Sequence, residues 1–158
     1  MNKILGKAII LFLLFGLTAC SYKPIFSEKN YNFEIKEIFT EGDKDVNKFI
    51  KNKLGFIKSN KSSNEKSYAI SIKSNKKREI VSKDTKGDPV KFEVTILVEY
   101  KIINNNNTLV DNKIEKKNIY NNDSDQFKLE QTEDIILQNL SESIGDSIIS
   151  SIINLDDN

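Results

Sequence analysis

Histidine and tryptophan are absent from this 158-residue chain, cysteine occurs once and proline twice. The only arginine is Arg78. Each scarcity removes a class of explanation. Without histidine, the usual proton carrier near neutral pH is missing. No glycine-rich phosphate loop, metal-ligand cluster or nucleophile elbow takes its place. The acidic pair Glu133-Asp134 falls on what reads as a solvated helix face, so neither an enzyme nor a cofactor is expected. A single cysteine forms no intramolecular disulfide, and stability must come from the core alone. Charge of one sign is also lacking, with 24 basic residues against 23 acidic ones. No global charge steers the chain to nucleic acid. The longest apolar run is shorter than the roughly 20 residues that a membrane-spanning helix requires.

That run is nevertheless informative. Lys3 and Lys7 precede the apolar stretch Ala8 to Leu17, and small residues follow. This is the three-part plan of a secretory signal peptide. The tetrapeptide Leu17-Thr18-Ala19-Cys20 resembles a bacterial lipobox, in which the signal is cut just before the cysteine. Cys20 would then be the lipidated first residue of the mature chain. One buried acyl chain anchors only marginally, while two or more hold stably at about 0.8 kcal/mol per methylene. The expected organisation is a removed signal over residues 1–19, a lipidated tether over 20–30, and a single domain over 31–155. Removing the signal leaves 22 bases and 23 acids, a net charge of −1. Under the sorting habit of bacterial lipoproteins, Ser21 in place of aspartate favours the outer membrane, with the domain on its periplasmic face.

The remaining pattern alternates strands and helices. Tyr31 to Phe39 predicts a first strand with Phe33 and Ile35 on one face. Asp43 is placed to cap an amphipathic helix of about four turns, with Val46, Phe49, Ile50, Leu54 and Ile57 on its apolar side. Ser59 to Lys66 reads as a polar loop. A second strand has Tyr68, Ile70 and Ile72 alternating against Ser67, Ser71 and Lys73 and continues through Ile80 and Val81, with Lys76-Lys77-Arg78 between the halves. Asp84 to Pro89 is a turn. The third strand has apolar residues at every second position from Val90 through Phe92, Val94, Ile96, Val98 and Tyr100 to Ile102. Asn104 to Asn107 suits a hairpin, since asparagine tolerates positive φ. A more polar fourth strand, Thr108 to Tyr120, reads as a sheet edge. A long final helix has Phe127, Ile136, Leu140, Ile144, Ile148 and Ile152 on one face, broadened by Ile135, Ile149 and Ile153. Two helices on one face of a four-stranded, mainly antiparallel sheet give a two-layer α+β sandwich.

Charge is distributed unevenly over this plan. Asp43 to Lys86 holds 13 bases and five acids, whereas no base follows Leu129. Lys76, Lys77, Arg78, Lys83 and Lys86 are expected around the end of one strand and the turn into the next. Ammonium and guanidinium groups gathered there suit phosphates, and anionic lipid or lipopolysaccharide is the natural target for a chain tethered outside the cytoplasm.

Several short stretches together resemble one family. Cys20-Ser21-Tyr22-Lys23-Pro24-Ile25-Phe26 is similar to the start of mature lipopolysaccharide-assembly lipoproteins of the LptE family. Phe49-Ile50-Lys51-Asn52-Lys53-Leu54 fits that family's first helix. Phe92-Glu93-Val94 through Val98-Glu99-Tyr100, then a hairpin and Leu109, resembles its paired central strands. Ser21 replaces the usual glycine, and the last helix is rich in isoleucine rather than alanine. The resemblance implies an outer-membrane lipoprotein that plugs the β-barrel of the assembly protein LptD and assists delivery of lipopolysaccharide. An auxiliary lipoprotein of a phospholipid-transport complex is the alternative.

Overall fold

The computed structural model describes residues 33–57 and 66–156. The expected signal, Cys20, the tether, Tyr31 and residues 58–65 lie outside them. Six elements follow in order: β1 (Phe33–Gly42), α1 (Lys44–Gly55), β2 (Lys66–Lys83), β3 (Pro89–Asn104), β4 (Asn107–Asn121) and α2 (Gln126–Asp156). The strands form one sheet in the order β1-β2-β3-β4. Both helices cover the same face, so the expected two-layer α+β sandwich is what the chain forms. Parallel neighbours need a crossover. α1 supplies it, returning the chain so that Lys66 lies opposite Phe33 and β2 runs parallel to β1. The β2–β3 and β3–β4 pairs are antiparallel.

β1 is longer than its alternation indicates, because the alternation breaks. The register steps from Ile35–Tyr68 to Glu37–Ala69, leaving Lys36 as an extra residue. A bulge of this kind reverses the faces beyond it. Ile38 therefore pairs with Ile70 and packs on the core, while Phe39 is 56% exposed. The strand ends where Gly42 takes φ +97°. A Cβ there would lie 1.9 Å from the Ser74 carbonyl oxygen. Only glycine lets the chain turn away this close to β2.

Asp43 caps α1 as expected, its carboxylate accepting from Asp45 N at 3.1 Å and Val46 N at 3.0 Å. The helix has 12 residues rather than four turns' worth. Phe56 and Ile57 follow it; Phe56 is exposed and Ile57 reaches the core. β2 is one strand of 18 residues. Lys76-Lys77-Arg78 does not interrupt it, because Ala69 to Ile80 pairs with β3 without a shift in register. Phe92 to Ile102 buries every second residue as the sequence pattern requires, although Val90 at the strand's start is exposed. Asn105 and Asn106 adopt φ of 46° and 66° and join β3 to β4. β4 is a free edge, as expected.

α2 is capped by Asp125, whose carboxylate accepts from Phe127 N at 3.1 Å and Lys128 N at 3.4 Å. The buried stripe runs through Leu129, Leu137, Ile144, Ile148, Ile149 and Ile152. Phe127 is 67% and Ile135 60% exposed, against expectation. Phe127 stands nine positions before Ile136, and at about 100° per residue that is half a turn out of phase. Where α2 meets α1, Gly145 is buried, and a Cβ on it would lie 2.8 Å from Lys53 Cγ. Lys53 then reaches Asp146 at 3.1 Å.

The core has two parts. The larger joins Phe33, Tyr68, Ile70, Ile72 and the middle of β3 to both helices. The smaller comprises Phe92, Val94, Tyr120 and Leu129, and Leu140 packs against both. β1 and α1 contribute only to the larger, so beyond Gly42 the sheet narrows to three strands under one helix.

Replacing Gly42 with alanine should lower stability by more than ~2 kcal/mol, since a strained φ is combined with a backbone collision. Gly87, at φ +91°, has nothing within 4 Å of a built Cβ. Its alanine variant should lose only about 1 kcal/mol, from φ alone. Urea melts of the two variants, read side by side, check this ranking.

Candidate functional site

Strand parity divides the basic residues that the sequence brought together. Lys76 and Arg78 continue the helix-covered face of Tyr68, Ile70, Ile72 and Ser74, whereas Lys77 lies on the opposite face. These three are within β2 rather than around its end, which corrects the expected placement. Lys83 ends the strand after two register shifts. Lys86 sits in the tight turn, where Asp84 Oδ1 accepts from Lys86 N at 2.8 Å and Asp88 N at 2.9 Å. The five do not share one surface.

The three central bases each meet an acid. Lys76 lies 3.5 Å from Asp43 Oδ2, Lys77 is 2.7 Å from Glu79, and Arg78 Nη2 is 2.8 Å from Glu133 Oε1. Arg78 is at the centre of a network. Its Nε donates to Tyr120 Oη and to Glu133 Oε1, both at 2.9 Å, and the Tyr120 hydroxyl donates to the same carboxylate oxygen at 2.6 Å. The guanidinium also stacks over Phe92, 3.6 Å from the ring centroid. Four residues from β2, β3, β4 and α2 thus fix one another at the narrow end of the sheet.

Burial pushes the Tyr120 hydroxyl above its ordinary ionisation range, and the hydrogen bond to Glu133 adds to the shift. Partial burial works against the Arg78 charge, but Tyr120 and Glu133 outweigh it and raise its pKa. The group is therefore a fixed cation with a neutral phenol beside it. Nη1 makes no hydrogen bond among the described residues, and it can present its two protons to an incoming carboxylate or phosphate.

Glu133, read from the sequence as solvated, is half-buried in this network, while Asp134 beside it is exposed. Its spacing contains the missed signal. Glu133 stands four positions after Leu129 and four before Leu137, so it lies on the apolar stripe of α2 and faces the sheet. Phe92 is legible in the sequence only as a core residue, and Tyr120 only as the end of the fourth strand.

Below the network is a notch where β1 stops and β2 continues, lined by Gly42, Asp43, Lys73, Ser74, Asn75, Lys76, Leu97 and Glu99. Asp43 N donates to Ser74 O at 3.3 Å, and the Ser74 hydroxyl donates to Asp43 O at 3.2 Å. This fixes the branch point between the end of β1 and the start of α1.

No protein-family model matches the chain, and no curated protein does. Solved structures do. The fold is similar to that of rare lipoprotein B from Shewanella oneidensis, with a TM-score of 0.54 and 16% identity over 76% of this chain and 98% of that one. It is also similar to a lipoprotein B from Nitrosomonas europaea, with a TM-score of 0.54 and 14% identity over 77% of this chain and 84% of that one. At these identities the likeness is one of fold: the chain has an architecture that two bacterial lipoproteins also have.

The Tyr120→Phe variant should lose about 1–2 kcal/mol at neutral pH, because Arg78 and Glu133 each lose a buried partner. The folded-state pKa of Tyr120 is raised, so its contribution is complete below the ordinary tyrosine value of 10.0 and is lost as pH rises through the folded value. The gap between parent and variant in urea midpoint should accordingly be constant from pH 7 to pH 9 and narrow above about 10.

Proposed function

We propose that this chain is an envelope lipoprotein of the LptE type, anchored through Cys20 to the periplasmic face of the outer membrane. Its role is binding rather than catalysis: it plugs and supports the lipopolysaccharide-assembly barrel LptD and assists delivery of lipopolysaccharide. The observation that carries this reading is the agreement of two independent features. One is the lipobox Leu17-Thr18-Ala19-Cys20 with the LptE-like start that follows it. The other is a fold similar over nearly the whole length of a lipoprotein from another bacterium. Physically, the role asks for a small rigid body that fills a lumen, and a two-layer sandwich supplies one. The narrow end holds the turn with Lys86, the end of β2 with Lys83, and the start of α2. Loops there suit contact with lipid phosphates.

Copurification tests the reading. Extracted from its own membranes in mild detergent, the full chain should bring down a large outer-membrane barrel at near one-to-one ratio. Cys20→Ser should leave the membrane fraction for the soluble one. Recovery of an inner-membrane transporter instead would support the phospholipid-transport alternative and remove the LptD assignment.

The lipopolysaccharide contact has its own test. Lys83 and Lys86 have no acid within ion-pair distance among the described residues, unlike Lys76, Lys77 and Arg78. The Lys83→Gln/Lys86→Gln double variant should weaken lipopolysaccharide binding severalfold with an unchanged melting temperature, and equal binding would overturn the assignment of those two residues.

A further inference from the structure

β1 pairs with β2 only as far as Gly42 opposite Ser74. From Asn75 to Lys83, β2 has a neighbour on the β3 side alone among the described residues. Ser74 O accepts from Asp43 N, so it points toward the β1 side. Backbone groups alternate along a strand, and Lys76, Arg78 and Ile80 therefore turn their N–H and C=O groups to the vacant side. No register shift falls between Ser74 and Ile80. The other free edges are bulged within their length, whereas β2 shifts register only past Ile80. β1 is bulged at Lys36, and β4 is bulged at Leu109, between partners of Ile102 and Ile103.

We infer that this stretch of β2 is a docking edge for an extended, acidic segment of a partner polypeptide, added as a strand in line with β1. Strand addition takes its affinity from main-chain hydrogen bonds and its selectivity from side chains at alternate positions. Of the bases in Asn75 to Lys83, Lys76, Lys77 and Arg78 meet Asp43, Glu79 and Glu133, and Lys83 meets no acid among the described residues, so the stretch keeps one positive charge in excess that an acidic side chain complements. Ile80 and Val81, at 47% and 46% exposed, offer apolar contact along it. A second copy of this chain is a poorer occupant. Antiparallel pairing in phase about Arg78 sets that cation opposite its own copy, and like charges in direct opposition are destabilising. The inference rests on backbone geometry and local charge, so loss of the lipoprotein reading would leave it standing.

The test uses the full chain in mild detergent and two fluorescein-labelled ten-residue peptides, one alternating glutamate with valine and one alternating lysine with valine. The acidic peptide should bind and the basic one should not. Ile80→Pro removes one outward N–H and spares the pairing with β3, and it should weaken binding about fivefold or more. Lys113→Pro, on the free edge of β4, should leave binding unchanged. Lys77→Glu, on the exposed outer face, should shift preference toward the basic peptide, and it reads out charge even if the proline variant fails to fold. Equal binding of both peptides, or equal loss from both proline variants with melting curves intact, would overturn the inference. So would sedimentation showing a dimer that Ile80→Pro dissolves, since the edge would then belong to a second copy.

Discussion

Everything else in the molecule follows from burying one face of the long β2–β3 pair. Tyr68, Ile70 and Ile72 on one strand and Phe92 through Ile102 on the other lay down an apolar surface longer than a single short helix can cover. α1, with 12 residues, covers part of it beside β1, and α2, with 31, runs the whole length. Isoleucine is only a middling helix former, and packing rather than propensity holds α2 in place. The mismatch in length is also what leaves a narrow end, a free stretch of β2 and a place for the Arg78 network.

That network closes a charge asymmetry visible along the chain. Bases are concentrated between Asp43 and Lys86, and α2 is acidic beyond Leu129. Among the described residues, folding brings the two together at two points, Lys53 with Asp146 and Arg78 with Glu133. The first pair is a single contact to an exposed carboxylate, that of Asp146, and contributes little. The second is more constrained, because three side chains and an aromatic face share it. Removing one partner strands the others, which is the costly case for a partly buried group.

Periodicity made the layer architecture, the Asp43 cap, the asparagine hairpin and the edge position of β4 legible before any coordinates. What it missed has physical causes. A bulge at Lys36 moves Ile38 inward and Phe39 outward, and one extra residue among ordinary ones leaves no mark in the pattern. Phe127 looked like the start of a stripe with which it is half a turn out of phase. Lys76-Lys77-Arg78 reads as the neighbourhood of a strand end because charged residues are common there, yet pairing to β3 carries the strand through them. Glu133 was the most recoverable miss, since its position on the stripe of α2 was available from spacing alone. The pairing of Tyr120 with Arg78 was not, because it depends on how β4 registers against β3 and β3 against β2.

The uncovered face of the sheet has a further consequence. Register sets Glu41 beside Lys73, Lys73 beside Glu99 and Glu99 beside Lys113, a line of alternating sign across all four strands. Neighbouring strands are about 4.8 Å apart, well inside a Debye length of about 8 Å at physiological salt. Seen from beyond that distance this row of four charges cancels. A charged body approaching that row from afar meets no net charge in it.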